Sequence, residues 1–376
     1  MIPYARQSID KDDIEAVIEV LRSDWLTTGP KVPEFESAIT KYVGAKFAVA
    51  VCNGTAALHA AMFAMGIGPG DEVILPPMTF ISTANCIVFQ GGTPVFSDID
   101  PDSLLIDPAL IEEKITPRTK AIIAVDYAGH PCDYDVLQNI AVKHGIYLVA
   151  DSCHALGARY KEKSVGSLAD MTVFSFHPVK HITTGEGGMI VTDNEELAAR
   201  LRLFCNHGIS SDFRQRDEKN SWFYEMLELG YNYRITDFQC ALGLSQLKKL
   251  QSYIEVRRRI AARYDKAFAS VPAIQPLTVQ KDVLHAYHLY VIKLIPEILG
   301  FSRKDLFHKL RNRGIGANVH YIPVHLHPYY RKHFKTHANL CPVAEKAYEQ
   351  ILSIPLYPGM TDKDIQIVIN AIIEES

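Results

Sequence analysis

Apolar positions recur along this chain in two rhythms. Between residues 10 and 22, Ile14, Val17, Ile18 and Leu21 fall at helical spacing, which predicts an amphipathic helix. Residues 23–30, ending in Gly29 and Pro30, break it with a turn, and 33–43 reads as a second helix. From residue 47 the rhythm shortens. Apolar runs at 47–51, 72–75, 93–96, 121–125, 146–150, 171–176 and 189–191 predict strands, and helical stretches separate them. Strands apolar on both faces and joined through helices predict an α/β domain, its sheet mainly parallel and covered by helices. Ligands of such sheets gather beyond the carboxyl ends of the strands.

After residue 241 the pattern changes. One long helix is predicted at 242–268, then strands at 289–294 and 317–321, a helix at 303–312 and a terminal helix. This reads as a smaller α+β lobe, dividing the chain into a large domain, 1–245, and a C-terminal domain, 246–376. With 376 residues, 48% of them hydrophobic, the chain has apolar mass for both.

Composition narrows the partners. The 39 lysines and arginines stand against 43 aspartates and glutamates, a net charge of −4, so no excess of positive charge points to nucleic acid. Arg257, Arg258 and Arg259 sit together and read as a solvated helix face. The seven cysteines are scattered and never paired as CxxC, which argues against both a disulfide framework and a zinc site. The N-terminus has no signal-like core, and no apolar run is long enough for a bilayer. A cytoplasmic location without a membrane partner is the expectation.

Three loops that follow predicted strands carry chemistry. In the first, Asn53-Gly54-Thr55-Ala56-Ala57, a glycine lets backbone approach a ligand, Thr55 offers a hydroxyl, and a helix N-terminus offers N–H groups. That suits a phosphate; a plain helix cap is the commoner use of such residues. The second, Asp151-Ser152-Cys153-His154, places a carboxylate at a buried strand end, where it needs a cation such as a protonated pyridine nitrogen, or else caps a helix. The third, residues 174–188, holds Lys180 with no acidic residue before Glu186, then a Gly-rich turn into the next strand. A lysine so placed should have a depressed pKa and a neutral amine ready to form an imine; alone, it could equally be an exposed loop lysine. Together the three loops supply what pyridoxal phosphate requires.

At this point the sequence resembles the DegT/DnrJ/EryC1/StrS family of pyridoxal-phosphate-dependent nucleotide-sugar aminotransferases. The likeness runs through Trp25-Leu26-Thr27-Thr28-Gly29-Pro30, Asn53-Gly54-Thr55-Ala56-Ala57-Leu58, residues 174–188, His207-Gly208 and Gly230-Tyr231-Asn232-Tyr233-Arg234. It implies the fold type I architecture of pyridoxal-phosphate transferases. Lys180 resembles the family's Schiff-base lysine, Asp151 the partner of the pyridine nitrogen, and His154 the group beside the ring or its phenolic oxygen. Phe80 resembles the aromatic stacked on the ring. Gly54, Thr55, Ala56 and Ser175 match the phosphate site, and Asn232 the residue given to a neighbouring subunit, which implies a homodimer with shared sites. Tyr4, Asp24, Trp25, Leu26, Thr27, His320 and Tyr321 are the implied substrate contacts.

Because the chain keeps its lysine, the resemblance implies transamination rather than sugar dehydration. The segments 125–129, 151–157 and 176–184 look most like the branch that aminates C4 of a UDP-linked 4-keto-6-deoxy amino sugar in pseudaminic acid biosynthesis, with L-glutamate as donor. Other dTDP- or GDP-linked 4-keto sugars, a 3-keto sugar, or a non-catalytic regulatory protein remain the alternatives. A plain amino-acid aminotransferase would need a carboxylate-clamping arginine, for which Arg311 or Arg313 are the candidates. His320, His325 and His327, with Tyr321, Tyr329 and Tyr330, are expected to form a sugar or diphosphate lip; the resemblance implies no metal.

Overall fold

The computed structural model describes residues 1–211 and 213–375. Helix α1 (Lys11–Leu21) starts at Asp10, whose carboxylate accepts the N–H groups of Asp12 and Asp13, while the Asp13 carboxylate accepts that of Asp10. Helix α2 (Lys31–Val43) buries Phe35, Ile39 and Val43. Then come β1 (Phe47–Val51), α3 (Gly54–Ala64), β2 (Glu72–Leu75), α4 (Ile81–Phe89), β3 (Thr93–Phe96), β4 (Thr119–Val125), α5 (Tyr134–His144) and β5 (Tyr147–Asp151). A short hairpin, β6 (Arg159–Tyr160) and β7 (Lys163–Ser164), leads to β8 (Met171–Ser175) and β9 (Gly188–Thr192). Helices α6 (Glu195–Cys205), α7 (Phe213–Glu218) and α8 (Asp237–Leu247) complete this part.

Seven of these strands form one sheet in the order β1-β9-β8-β5-β4-β2-β3. Strand β9 runs against its neighbours β1 and β8, and every other pairing in the sheet is parallel. The expected α/β class and its mainly parallel, mixed sheet are thus present. Strands β2 and β5 are buried almost end to end, as covered parallel strands must be. Helix α3 is buried nearly all round, and its run of alanines lets it lie close between the sheet, α4 and α6.

The second part begins with α9 (Leu250–Phe268), followed by β10 (Ile274–Pro276), β11 (Val283–Leu284), β12 (Tyr290–Leu294), α10 (Pro296–Leu299), α11 (Arg303–Asn312), α12 (Pro328–Phe334), α13 (Pro342–Gln350), β13 (Ile351–Ile354) and α14 (Asp362–Glu375). Its antiparallel sheet, β10-β12-β13, divides its side chains by the two-residue period of a strand: Tyr290, Ile292 and Leu294 enter a second core with Tyr264, Phe268 and Leu306, while Val291 faces the core of the large sheet. Strand β11 pairs with β6, tying the two parts together. Among the described residues no helix is long and apolar enough to cross a membrane.

Three local expectations are overturned. The helix predicted at 242–268 is two helices, because α8 packs on α1 and α2 whereas α9 packs on β10 and α14, and no straight helix serves both surfaces. The break falls at Lys249, whose ammonium lies 2.7 Å from both Asp10 and Asp13. No strand forms at 317–321: Asn318 makes a lone bridge to Ser353, and the His320–Tyr321 peptide bond is cis. There the Tyr127 hydroxyl donates to the His320 carbonyl and the Tyr321 N–H donates to Met78 Sδ, so side chains that follow β4 and β2 take the groups a strand partner would have used. Finally, Arg257 does not belong to a solvated face. It is buried and donates to the carbonyls of Tyr287, His288 and Leu356, while Arg258 and Arg259 are exposed.

Candidate active site

A cavity of about 840 Å³ opens at the carboxyl ends of the parallel strands, with Asn53 after β1, Thr79 after β2, Val125 closing β4, Asp151 closing β5 and Ser175 closing β8. Close backbone packing brings these ends together. A Cβ on Gly188 would lie 2.4 Å from the Asn53 carbonyl, so only glycine lets β9 pass the first loop. One on Gly54 would meet the Ser175 side chain at 3.1 Å.

Lys180 sits in this cavity, half-buried, in a turn closed by its own N–H on the His177 carbonyl at 2.9 Å. Thr183 Oγ1 donates to the Phe176 carbonyl at 3.0 Å, and His181 Nε2 lies 3.1 Å from the Ala286 carbonyl, which pins the turn from both sides. Burial pushes the lysine ammonium below its ordinary range; Cys153 and Asp151 oppose this only in part. The amine is thereby biased toward its neutral, nucleophilic form.

Asp151 is buried, and its Oδ2 accepts the Thr83 hydroxyl at 2.7 Å, which is itself 2.7 Å from that of Thr79. Its Oδ1 accepts the Cys153 N–H at 3.3 Å. Both partners are neutral, so the carboxylate retains capacity for a cation, and a protonated ring nitrogen fits that need. Asp151 caps no helix. His154 is buried too: its Nε2 lies 3.1 Å from the Tyr321 hydroxyl, and its Nδ1 has no partner. Burial, then the nearby Lys180, His320 and His181, hold it well below the ordinary histidine range, so it is neutral. A buried carboxylate with only neutral partners, an orphan imidazole nitrogen and an amine in one cavity fit pyridoxal phosphate.

At the phosphate end, Gly54, Thr55, Ala56 and Ser175 all line the cavity. The Ala56 N–H is already taken by the Asn53 side chain at 2.8 Å, so the cap and the cradle coexist and Ala56 has no free donor to offer. Phe80 stands on the rim, 54% exposed, with its ring 6.0 Å from that of Tyr321.

The opposite wall comes from the N-terminal segment and the segment around Asn318. Tyr4, Asn318, His320 and Tyr321 line it, with the Tyr4 and His320 rings 5.6 Å apart. His320 Nδ1 bonds Ser353 Oγ at 2.8 Å, and burial holds the ring at a pKa of about 3. Tyr4 and Tyr321 keep their hydroxyl protons, since burial raises both.

Five predicted site residues lie outside this cavity. Asp24, Trp25, Leu26 and Thr27 are held away by Asp237, whose carboxylate accepts the N–H groups of Gly29 and Lys31 and whose own N–H donates to the Leu26 carbonyl. Asn232 is exposed, and its neighbour Tyr233 faces the cavity instead. The expected lip also shrinks to His320 and Tyr321: His325 is fully buried against Glu345, and Tyr330 donates to Asn85. Among the described residues no group of three or more His, Cys, Asp or Glu side chains is placed to hold a metal ion.

Sequence reading missed Thr83, Asn318, Tyr233 and His288. Thr83 had a readable signal, since Thr79 and Thr83 stand four apart at the opening of a helix that follows a strand. His288 had none.

Residues 7–373 match the DegT/DnrJ/EryC1/StrS aminotransferase family. The chain belongs to this family. It is 46% identical over 373 residues to SpsC, a spore coat polysaccharide biosynthesis protein of Bacillus subtilis strain 168, covering 99% of this chain and 96% of that one. Its structure is similar to that of PseC from Helicobacter pylori, an aminotransferase involved in the biosynthesis of pseudoaminic acid, with TM-score 0.92, 35% identity, and coverage of 100% and 98%. It is equally similar to the PLP-form of the putative sugar aminotransferase Spr1654 from Streptococcus pneumoniae, with TM-score 0.93, 34% identity, and coverage of 100% and 98%. This member of the DegT/DnrJ/EryC1/StrS family is therefore a pyridoxal-phosphate-dependent sugar aminotransferase with the fold of that class.

Proposed function

We propose that the protein moves an amino group from L-glutamate to C4 of a nucleotide-linked 4-keto-6-deoxy amino sugar, UDP-linked, in a pathway of the pseudaminic acid type. The composition of the cavity carries the acceptor reading. Among the described residues that line it, Lys180 is the only lysine or arginine, and the wall facing it is built of tyrosine, asparagine and imidazole. Such a wall suits sugar hydroxyls and rings rather than a second carboxylate. The arginines an amino-acid aminotransferase would need are elsewhere: Arg313 pairs with Glu374 and Glu375, and Arg311 lies over Phe307. Likeness to PseC supports the pseudaminic branch. Identity to SpsC favours, as the second reading, another nucleotide sugar bound for a surface polysaccharide.

When bound, pyridoxal phosphate supplies the carbonyl that carries the amino group and a ring that accepts the electrons of the broken bond. The chain's own residues do the rest. Lys180 Nζ takes the proton from the donor's α-carbon and, in the second half-reaction, delivers one to C4 of the sugar. Asp151 keeps the ring nitrogen protonated, and Thr83 holds the carboxylate in place. Gly54, Thr55 and Ser175 hold the phosphate, and Phe80 covers the ring face.

Tyr4, His320 and Tyr321 orient the sugar. We assign residues 1–245 to the cofactor domain and 246–376 to the smaller one, the latter holding a core of its own around Tyr264, Phe268 and Leu306. A homodimer completes the site. Trp222, Phe223, Tyr224, Met226, Leu227 and Leu229 form an exposed apolar run beside Asn232, and the bridge between Thr27 and Thr236 ties residues 24–27 to the same surface. Asn232 and residues 24–27 then serve the neighbouring subunit's cavity.

Purified holoenzyme should aminate a UDP-4-keto-6-deoxy amino sugar with glutamate faster than GDP- or dTDP-linked 4-keto sugars or a 3-keto sugar. Preference for another member of that panel replaces the acceptor assignment. For the shared site, Lys180→Ala and Asn232→Ala subunits, each inactive alone, should regain activity when mixed; no recovery tells against it.

A further inference from the structure

His154 lies three residues past Asp151 in the cavity wall, 7% exposed, with Nδ1 unpaired and Nε2 3.1 Å from the Tyr321 hydroxyl. An unpaired nitrogen buried in a cavity wall is costly unless a ligand meets it. We infer that Tyr321 is a positioning residue for the cofactor: by donating its hydroxyl proton to His154 Nε2, it places the imidazole's single proton on Nδ1, which donates to the phenolic oxygen of pyridoxal phosphate.

The alternative tautomer fails on the chemistry of the ligand. If Nε2 carried the proton it would donate to the Tyr321 oxygen, leaving Nδ1 able only to accept. The ring N–H of pyridoxal phosphate goes to Asp151. What remains beside the carbon that Lys180 must reach is the phenolic oxygen, which in its ionised form can only accept. A donor at Nδ1 therefore meets the phenolate, whereas an acceptor there would be left facing it unpaired.

The surroundings keep both members of the pair in the required state. Tyr321 holds its proton, because burial, with Tyr127, Asp151, Cys153 and Tyr4 around it, raises its hydroxyl. His154 is faced by Lys180 and His181 from the loop after β8, by His320 and Tyr321 from the segment after Asn318, and by His288 from the loop before β12. None of these is a carboxylate that would draw a second proton onto the ring. The His288 ring stands 4.3 Å from that of His154, its own Nδ1 also unpaired, and flanks it without bonding it.

The test is a pH titration of the bound cofactor's absorbance in holoenzyme. A hydrogen bond donated to the phenolic oxygen favours its deprotonated form and lowers the midpoint. Tyr321→Phe should raise that midpoint by about one pH unit. In a His154→Gln background the amide donates without any tautomer to select, so adding Tyr321→Phe should leave the midpoint where His154→Gln sets it. An unchanged midpoint in the single variant, or an equal rise in both backgrounds, overturns the inference. It rests on the cofactor site proposed above, and Asp151→Asn separates the two failures. A wild-type titration in Asp151→Asn tells against the site itself, whereas failure confined to Tyr321→Phe tells against the tautomer alone.

Discussion

The two walls of the cavity are built differently. One is made of loops that leave β1, β5 and β8 and carry Thr55, Asp151, His154, Ser175 and Lys180, so each side chain is fixed by a strand end inside a buried sheet. The other is hung from distant pieces. Tyr4 is held where Ile2 bridges Ile315, and His320 where Asn318 bridges Ser353 and the Tyr127 hydroxyl reaches across. A rigid wall suits groups that must meet the same cofactor atoms in both half-reactions. A wall assembled from termini and loops can change its side chains without disturbing the sheet, and so suits the choice of acceptor.

If that division holds, variants of the first wall damage both half-reactions and, Tyr321 with its bond to His154 apart, variants of the second only one. Lys180→Ala should have the largest effect. Turnover should fall by at least about a thousandfold, and the absorbance of lysine-bound cofactor should vanish with it. Normal turnover would remove the first wall's central residue. Asp151→Asn should retain cofactor yet lose about a hundredfold in rate with glutamate alone and in the complete reaction, as single-turnover spectra would show. A loss confined to one half-reaction breaks the comparison.

His320→Ala should do the opposite. Glutamate-driven conversion of the cofactor should proceed at the wild-type rate, while KM for the sugar nucleotide rises about tenfold. Slowed conversion by glutamate would show that the second wall also serves the chemistry.

The smallest effect concerns the imidazoles. Burial holds His59 at about 4 and His320 at about 3, below the ordinary 6.5. The unfolded chain therefore takes up these protons first as pH falls. Their stabilising share is complete above about pH 6.5 and is lost on the way down toward pH 4, by about 1.4 kcal/mol per pH unit for each group. Denaturant midpoints should drop between pH 7 and pH 5 and hardly move between pH 7 and pH 8. His320→Ala should lessen the drop, and a flat profile would mean the second wall binds its protons when folded.

The first wall was legible because each part sits beside a local signal: an apolar run, then a glycine, a carboxylate or a lysine. Gly54-Thr55, Asp151 and Lys180 needed no knowledge of where other loops go. The second wall was legible only through family resemblance, and around it tertiary contacts decided what local pattern could not. Residues 24–27 carry the right chemistry, yet Asp237 holds them outside their own chain's cavity. The segment 317–321 has the composition of a strand, but its backbone groups are claimed by Tyr127 and Met78. Lys249 has the composition of a helix interior, and its pairing with Asp10 and Asp13 accompanies a change of helix.

The sequence by itself determined the strand and helix rhythm, the loops at the strand ends and the cofactor chemistry they carry. Each depends on residues within a few positions of one another, where spacing translates directly into a shared face or a helix terminus. Only the tertiary structure decided that Thr83 steadies Asp151, that Tyr321 meets His154, and that Tyr4 and Asn318 close the far wall. Those pairs stand 68, 167 and 314 positions apart. No local pattern encodes such distances; they follow from how the second lobe packs against the sheet.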